Sequence, residues 1–462
     1  MESGEKEANS DTRTESASSG TGSLQYPESM SPGESSASVD IGAAKTPGMS
    51  TKKSKRGRRS LQPATAPPDQ LLLTAGEQAK MYMKNLQVDL AVREFVRCVA
   101  LARLAYGDSH WRLAAAHGEL GSAYLKLKEY ADQAEQHSLI AREILLNSRA
   151  MQQCTEQDKC EVIAALINVY LTLGVAQVAL TRLSEAEPNL LNAEKLATDI
   201  AKLPDVNGEQ ADTFAADTAC ALARLHVRQA KYEHATRYFI EAMEIMKEHT
   251  EGSGKDNEEW KKKLVNLHVE LAQCQLNKST AADCDRAVKN LYKAHELALS
   301  LYGDNAIEVA EVAHQMALAY TRTIGYDAEV LAEQWYGEAL AIYETEMGGG
   351  SEKSLLIQDS LVKLYVRTNR HEEAQGLLKR TLAAKKAVFG DYSETVAEAY
   401  KLMGSIFLAQ GQLRNALTLL QKCLQIEKLV FGNNHRKVIS THNTIQLIEK
   451  SPATAAKRPV KR

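Results

Sequence analysis

The chain has 462 residues, 44% hydrophobic and 25% charged, with only 6% aromatic, 26 Gly and 10 Pro. This is a helix-forming composition, and it argues against a β-sandwich or barrel, which needs strand-forming aromatics and many Gly/Pro turns. The net charge of −3 divides into −5 over residues 1–51, +6 over 52–60 and +4 over 451–462, leaving −8 on the body at 61–450, and an acidic body does not attract a nucleic-acid backbone. The polar, acidic start MESGEKEANS argues against a secretory signal. Without a run of 18 apolar residues, no segment is expected to enter a membrane directly.

Residues 1–70 read as a disordered tail. The first 60 residues hold fourteen Ser and five Thr and almost no large apolar side chains, so they bury too little surface to offset their ordering entropy. The basic cluster at 52–59 reads as a solvated linker before it reads as a nuclear or membrane-surface address.

From 71 to 434 the chain repeats. The pattern is Gly or Ala at an anchor (Val in one unit), a bulky residue three on, Ala twelve on, a bulky residue sixteen on and a small residue nineteen on. Gly174, Gln177, Ala186, Leu190 and Ala193 form one such set; Gly404, Phe407, Ala416, Leu420 and Cys423 form another. Ala79, Ala223 and Val362 anchor three more units, and Gly121, Ala272 and Ala317 fit if the loop inside the unit is longer. These eight units predict paired helices that approach closely at the small positions, with bulky residues filling the gap to the next unit. The fold class expected is all-α: a right-handed α-solenoid of tetratricopeptide-like helix–turn–helix repeats with disordered tails.

Connections between units carry Tyr106-Gly107-Asp108, Tyr302-Gly303-Asp304, Phe389-Gly390-Asp391 and Phe431-Gly432-Asn433, and Met347-Gly348-Gly349-Gly350 falls where a fifth is due. Gly suits the left-handed residue that ends a helix. The Ser109, Asn305 or Ser393 region then offers an N-cap to the next one. Residues 435–450 predict a capping helix over the end of the stack, and 451–462 a basic tail.

No catalytic constellation, metal site or cofactor site is evident, and an enzyme is not expected. The seven cysteines (Cys98, Cys154, Cys160, Cys220, Cys274, Cys284 and Cys423) form no CxxC pair, which fits free thiols. The twelve histidines read as single packing or surface residues. Gly252-Ser253-Gly254-Lys255 lacks the first Gly of a phosphate loop and follows no strand, so it reads as a linker.

Solenoids bind extended partners along the concave face made by their first helices. Five residues past the anchor stand Lys84, Lys126, Arg228, Arg322 and Arg367, and one residue past it Lys80, Arg224 and Lys363. On an acidic body these eight suggest a basic inner stripe that receives an acidic or phosphorylated protein segment. The plainer alternative is that bases near a helix C-terminus answer its dipole. No unit carries the Lys and two Asn with which chaperone-binding repeats hold a C-terminal carboxylate.

Residues 94–145, with VRCVAL followed by YGDSHW, resemble the tetratricopeptide repeat protein 23 family, which includes a 23-like paralogue. So do residues 389–432, with VAEAYKLMG, LAQG and KCLQI, and more weakly residues 170–196. The resemblance implies a non-enzymatic cytoplasmic scaffold at the primary cilium or its base. It would be linked to the Ellis–van Creveld complex and support Hedgehog signalling from Smoothened, with acidic or phosphorylated segments of ciliary membrane-complex proteins as partners. The family brings no catalytic residues to carry over, and Trp111 reads as a packing anchor. The longer units and their Gly-Asp connections also resemble kinesin light chain repeats, which would make the chain a cargo or cytoskeletal adaptor. That role calls for a heptad coiled coil, which residues 1–70 lack. An enzyme carrying a solenoid insert is a third possibility, and no segment outside the repeats is long enough for its catalytic domain.

Overall fold

Windows rich in Ala, Leu, Glu and Lys, with apolar residues recurring every three or four positions, leave only helices to be formed. A computed structural model describes residues 66–147, 158–203, 206–251, 258–278, 280–323 and 326–450. Both tails, the basic cluster at 52–59, Cys154 and the 252–255 segment lie outside the described residues. Among those described there are seventeen helices. They are α1 (Pro68–Lys84), α2 (Val88–Tyr106), α3 (Trp111–Lys128), α4 (Ala131–Leu146), α5 (Lys159–Ala179), α6 (Leu183–Ile200), α7 (Gly208–Arg228), α8 (Tyr232–Glu251) and α9 (Glu258–Lys278). The chain continues with α10 (Ala281–Tyr302), α11 (Ile307–Arg322), α12 (Tyr326–Met347), α13 (Glu352–Arg367), α14 (His371–Phe389), α15 (Glu394–Ala409), α16 (Leu413–Phe431) and α17 (Arg436–Glu449). Odd and even helices pair into eight antiparallel hairpins, each packed on the next. In α17, Ile445 and Ile448 cover Leu420 of α16.

The anchor positions are where the two helices of a hairpin nearly touch. A Cβ added at Gly174 would lie 2.5 Å from Leu190, and one at Gly404 would lie 2.9 Å from Leu420. The bulky residue sixteen on therefore sits over the anchor of its own unit as well as facing the next: Leu190 also joins a cluster with Leu222 and Leu225 of α7. Gly174→Ala is expected to destabilise the chain despite Ala's higher helix propensity. Displacing a fully buried leucine costs about 1–3 kcal/mol, against roughly 1 kcal/mol gained from propensity. The thermal midpoint of the variant checks this.

Two details differ from the sequence expectation. The extra residues in the units anchored at Ala272 and Ala317 do not lengthen a loop. They add a turn to the start of α10 and α12, while Gly121's unit extends α3 to Lys128. The N-caps also shift by one at two joints. His110, not Ser109, accepts from the Arg112 amide at 3.1 Å and stacks on Tyr106 at 4.8 Å. Ala306, not Asn305, precedes α11 without a side-chain cap, while Ser393 does cap α15. Gly107, Gly303, Gly348, Gly390 and Gly432 all have φ between 79 and 87°. The fifth connection thus shares the positive φ of the other four.

The helix α5 is long and apolar enough to cross a membrane by length and composition, although the sequence holds no unbroken apolar run; half of that stretch is buried inside the stack. It touches α3, α4, α6 and α7, and a central helix with neighbours on several sides buries apolar residues all round. Trp111 at the start of α3 packs with Leu145 of α4 and Val162 and Leu166 of α5, joining successive units.

Several polar groups are buried in this core. Lys385 of α14 is 0% exposed and pairs with Asp359 of α13. The histidines do not all stand alone: His117 of α3 and His137 of α4 face each other with Nδ1 atoms 3.0 Å apart. His268 of α9 is buried against Asn290 of α10.

Candidate partner-binding face

The first helices of successive hairpins come into direct contact, α3 with α5, α5 with α7, α9 with α11 and α13 with α15. Close approach is set by small residues: a Cβ at Gly118 of α3 would lie 2.9 Å from Val169 of α5. The odd-numbered helices therefore form the inner layer, and the surface grooves follow them. One groove of about 650 Å³ runs over α1, α3, α5 and α7, between Lys80, Trp111, Asn168 and Phe214. Another, of about 240 Å³, lies over α5, α7 and α9 between Val175, Cys220 and Leu267. A third, of about 400 Å³, lies over α9, α11 and α13.

Charges on this face are arranged as rungs between neighbouring first helices. Lys80 pairs with Glu119 at 3.2 Å, Asp217 with Lys263 at 3.1 Å, and Glu311 with Lys353. Arg224 forks onto Glu270 with two bonds of 2.8 Å. Glu394 with Lys437 closes the last step. Each joins residues about one repeat apart. Exposed pairs of this kind contribute little stability individually, and they mark the helix faces that close packing brings together.

The eight bases singled out from the sequence do not gather into one patch. Lys80 and Arg224 are rungs of this ladder. Arg367 pairs with Glu329 at 3.5 Å and donates to the Thr321 carbonyl. Lys84, Lys126, Arg228 and Arg322 are exposed in the last turns of α1, α3, α7 and α11, along the edge where the hairpins turn. Lys363 is exposed one residue past its anchor, within α13.

A second charge pattern was missed from the sequence. Bases at the hairpin turn of one unit bind acids near the start of the preceding unit's second helix: Lys128 to Asp89 at 2.8 Å, Arg182 to Glu135 at 2.9 Å and Lys278 to Glu233 at 2.9 Å. Arg370 binds Glu333 in the same way at 2.5 Å. Buried Glu135 also accepts from Gln177 at 3.3 Å, and Gln177 accepts from Asn189 at 2.8 Å. Opposite charges at offsets of one repeat were the available signal.

Acids outnumber bases in the first and third of these grooves and in two further recesses, one over α1 and α3 and one over α7 and α9, though not in the second groove, where Asp217 stands with Arg224 and Lys263. The bases lining them, Lys80, Arg112, Arg224, Lys263 and Lys353, all form ion pairs. Asp69, Glu77, Glu161, Glu209, Glu259 and Glu308 also line them, and none of these six is in an ion pair among the described residues. No group of three or more His, Cys, Asp or Glu able to hold a metal occurs among the described residues. Burial pushes the thiol of Cys98 up to about 11 and those of Cys220 and Cys423 up to about 12. These thiols are poor nucleophiles at neutral pH.

A tetratricopeptide repeat family model matches residues 215–251 and 396–437, which cover most of the α7–α8 hairpin and the α15–α16 hairpin. Among solved structures, the apo form of RapI has a TM-score of 0.52 at 13% identity, covering 82% of this chain and 99% of that one; at that identity the likeness concerns the fold. Mouse tetratricopeptide repeat protein 23-like is 28% identical over 385 residues, 83% of this chain and 81% of the relative. Human tetratricopeptide repeat protein 23 is 33% identical over 391 residues, 85% of this chain and 84% of the relative. With helical hairpins throughout and a relative aligned over most of both lengths, the chain belongs to the tetratricopeptide repeat protein 23 family.

Proposed function

We propose that the chain is a non-enzymatic scaffold that holds protein partners along the inner face of its solenoid, in the cytoplasm at the primary cilium or its base. In this reading it works with the Ellis–van Creveld complex and supports Hedgehog signalling from Smoothened. The observation that carries the scaffold part is the row of grooves over the odd-numbered helices, from α1 to α13. Membership of the family supports the ciliary part. The exposed bases Lys84, Lys126, Arg228, Arg322 and Lys363 would contact an acidic or phosphorylated stretch of such a partner at the groove's edge.

A tagged full-length chain in ciliated cells is expected to concentrate near the ciliary base, and proximity labelling from it to return membrane-complex components there. Diffuse staining, or a neighbour set dominated by microtubule motors, would overturn the ciliary reading. Charge reversal at Arg228 and Arg322 together is expected to lower capture of those neighbours about tenfold at moderate salt, the scale of a few lost charge-assisted contacts. Unchanged capture would remove the edge bases from the account.

A further inference from the structure

We infer that the groove over α9, α11 and α13 is a binding site for a basic side chain, Lys or Arg, carried on an apolar, extended partner segment. The inference rests on the reading of the inner face as a partner surface. The groove has an apolar floor of Val265, Val269 and Val312, and Leu356 at its margin is 46% exposed. Two tyrosines border it, and each already carries a cation of this chain. Lys262 lies 5.7 Å from the Tyr302 ring centroid and Lys353 lies 5.5 Å from that of Tyr343.

Tyr343 is itself buried, 2% exposed, so the partly exposed Tyr302 ring is the one on which a partner's ammonium or guanidinium group is attracted. The carboxylates beside the two rings set the sign of the site. Glu311 is matched by Lys353, whereas Glu308 is exposed and in no ion pair among the described residues. His314, which also lines the groove, is partly buried with Nε2 unpartnered, and burial holds its pKa down, so it supplies no opposing charge at neutral pH. Asn266 and the hydrogen-bonded pair Gln273 and Gln315, 3.1 Å apart, offer amides to an extended backbone. Charge complementarity here favours a basic ligand, and the floor favours aliphatic neighbours on either side of it.

The test is a selection of phage-displayed random dodecapeptides on the immobilised full-length chain. The expected enrichment is Lys or Arg beside Val, Leu or Ile. Affinity for the selected peptides should fall about tenfold in Glu308→Gln/Leu356→Ala, the scale expected for one charge-assisted anchor and its apolar neighbour, and be unchanged in Lys379→Glu/Arg380→Glu, exposed residues of α14 that line none of these grooves. Circular dichroism melts confirm that both variants are folded. Enrichment of acidic peptides, or of basic peptides indifferent to the groove variant, overturns this site while leaving the inner face as a partner surface. Recovery only of peptides that no inner-face substitution affects overturns both.

Discussion

Lys385→Met is expected to destabilise the α13–α14 hairpin by about 3–5 kcal/mol, because it leaves Asp359 as an uncompensated charge in the interior. Lys385 is 0% exposed and Asp359 9% exposed, so neither is rescued by water. The double replacement Asp359→Leu/Lys385→Met removes both charges and is expected to recover most of the loss, since exchanging a whole buried pair for apolar groups is often neutral. In a repeat array each unit leans mainly on its neighbours, so the effect should be local. Hydrogen exchange should show protection lost first in Glu352–Arg367 and His371–Phe389, with α1–α4 unaffected. Equal loss in the single and double variants would contradict an energetic role for the pair.

The fold class was legible in the sequence for a specific reason. The tightest contacts in the hairpins of Gly174 and Gly404 fall on a glycine sixteen residues before the leucine that covers it, so sterics wrote the architecture into residue size. The inner surface was far less legible. Arg224 looked like a free base until α9 brought Glu270 against it, because a partner one repeat away in sequence is invisible to a reading along one helix. His110 was passed over as a cap in favour of Ser109, since hydroxyls are the commoner N-cap. Its ring is placed by stacking on Tyr106, a tertiary contact that no local preference contains.

The second large effect is acid sensitivity. Burial first, then the neighbouring His137 and Arg103, hold the His117 pKa down to about 4. Burial first, with Lys247 and Lys293 adding to it, holds that of His268 down to about 4 against the opposing bond to Asn290. A depressed folded-state pKa means the folded state binds fewer protons. The stabilisation is thus complete above the ordinary imidazole value near 6.5 and is lost as pH falls from there through the folded value. At pH 5 each histidine is expected to cost about 2 kcal/mol relative to pH 7.5. The His117–His137 contact adds a reason: one bridging proton joins the two Nδ1 atoms, and a second would set two N–H groups head to head. His117→Gln/His268→Gln should narrow the gap between thermal midpoints at pH 7.5 and pH 5. An unchanged gap would assign the acid sensitivity to the carboxylates.

The scaffold reading depends on the inner face carrying the partners. The most direct measurement is quantitative proximity labelling in ciliated cells with the wild-type chain and with Gln273→Arg/Glu308→Arg/Leu356→Glu, which alters only exposed groove residues. With thermal midpoints matched, the account predicts that the variant loses most of the neighbours labelled by the wild type. The same neighbours at the same intensities would contradict it.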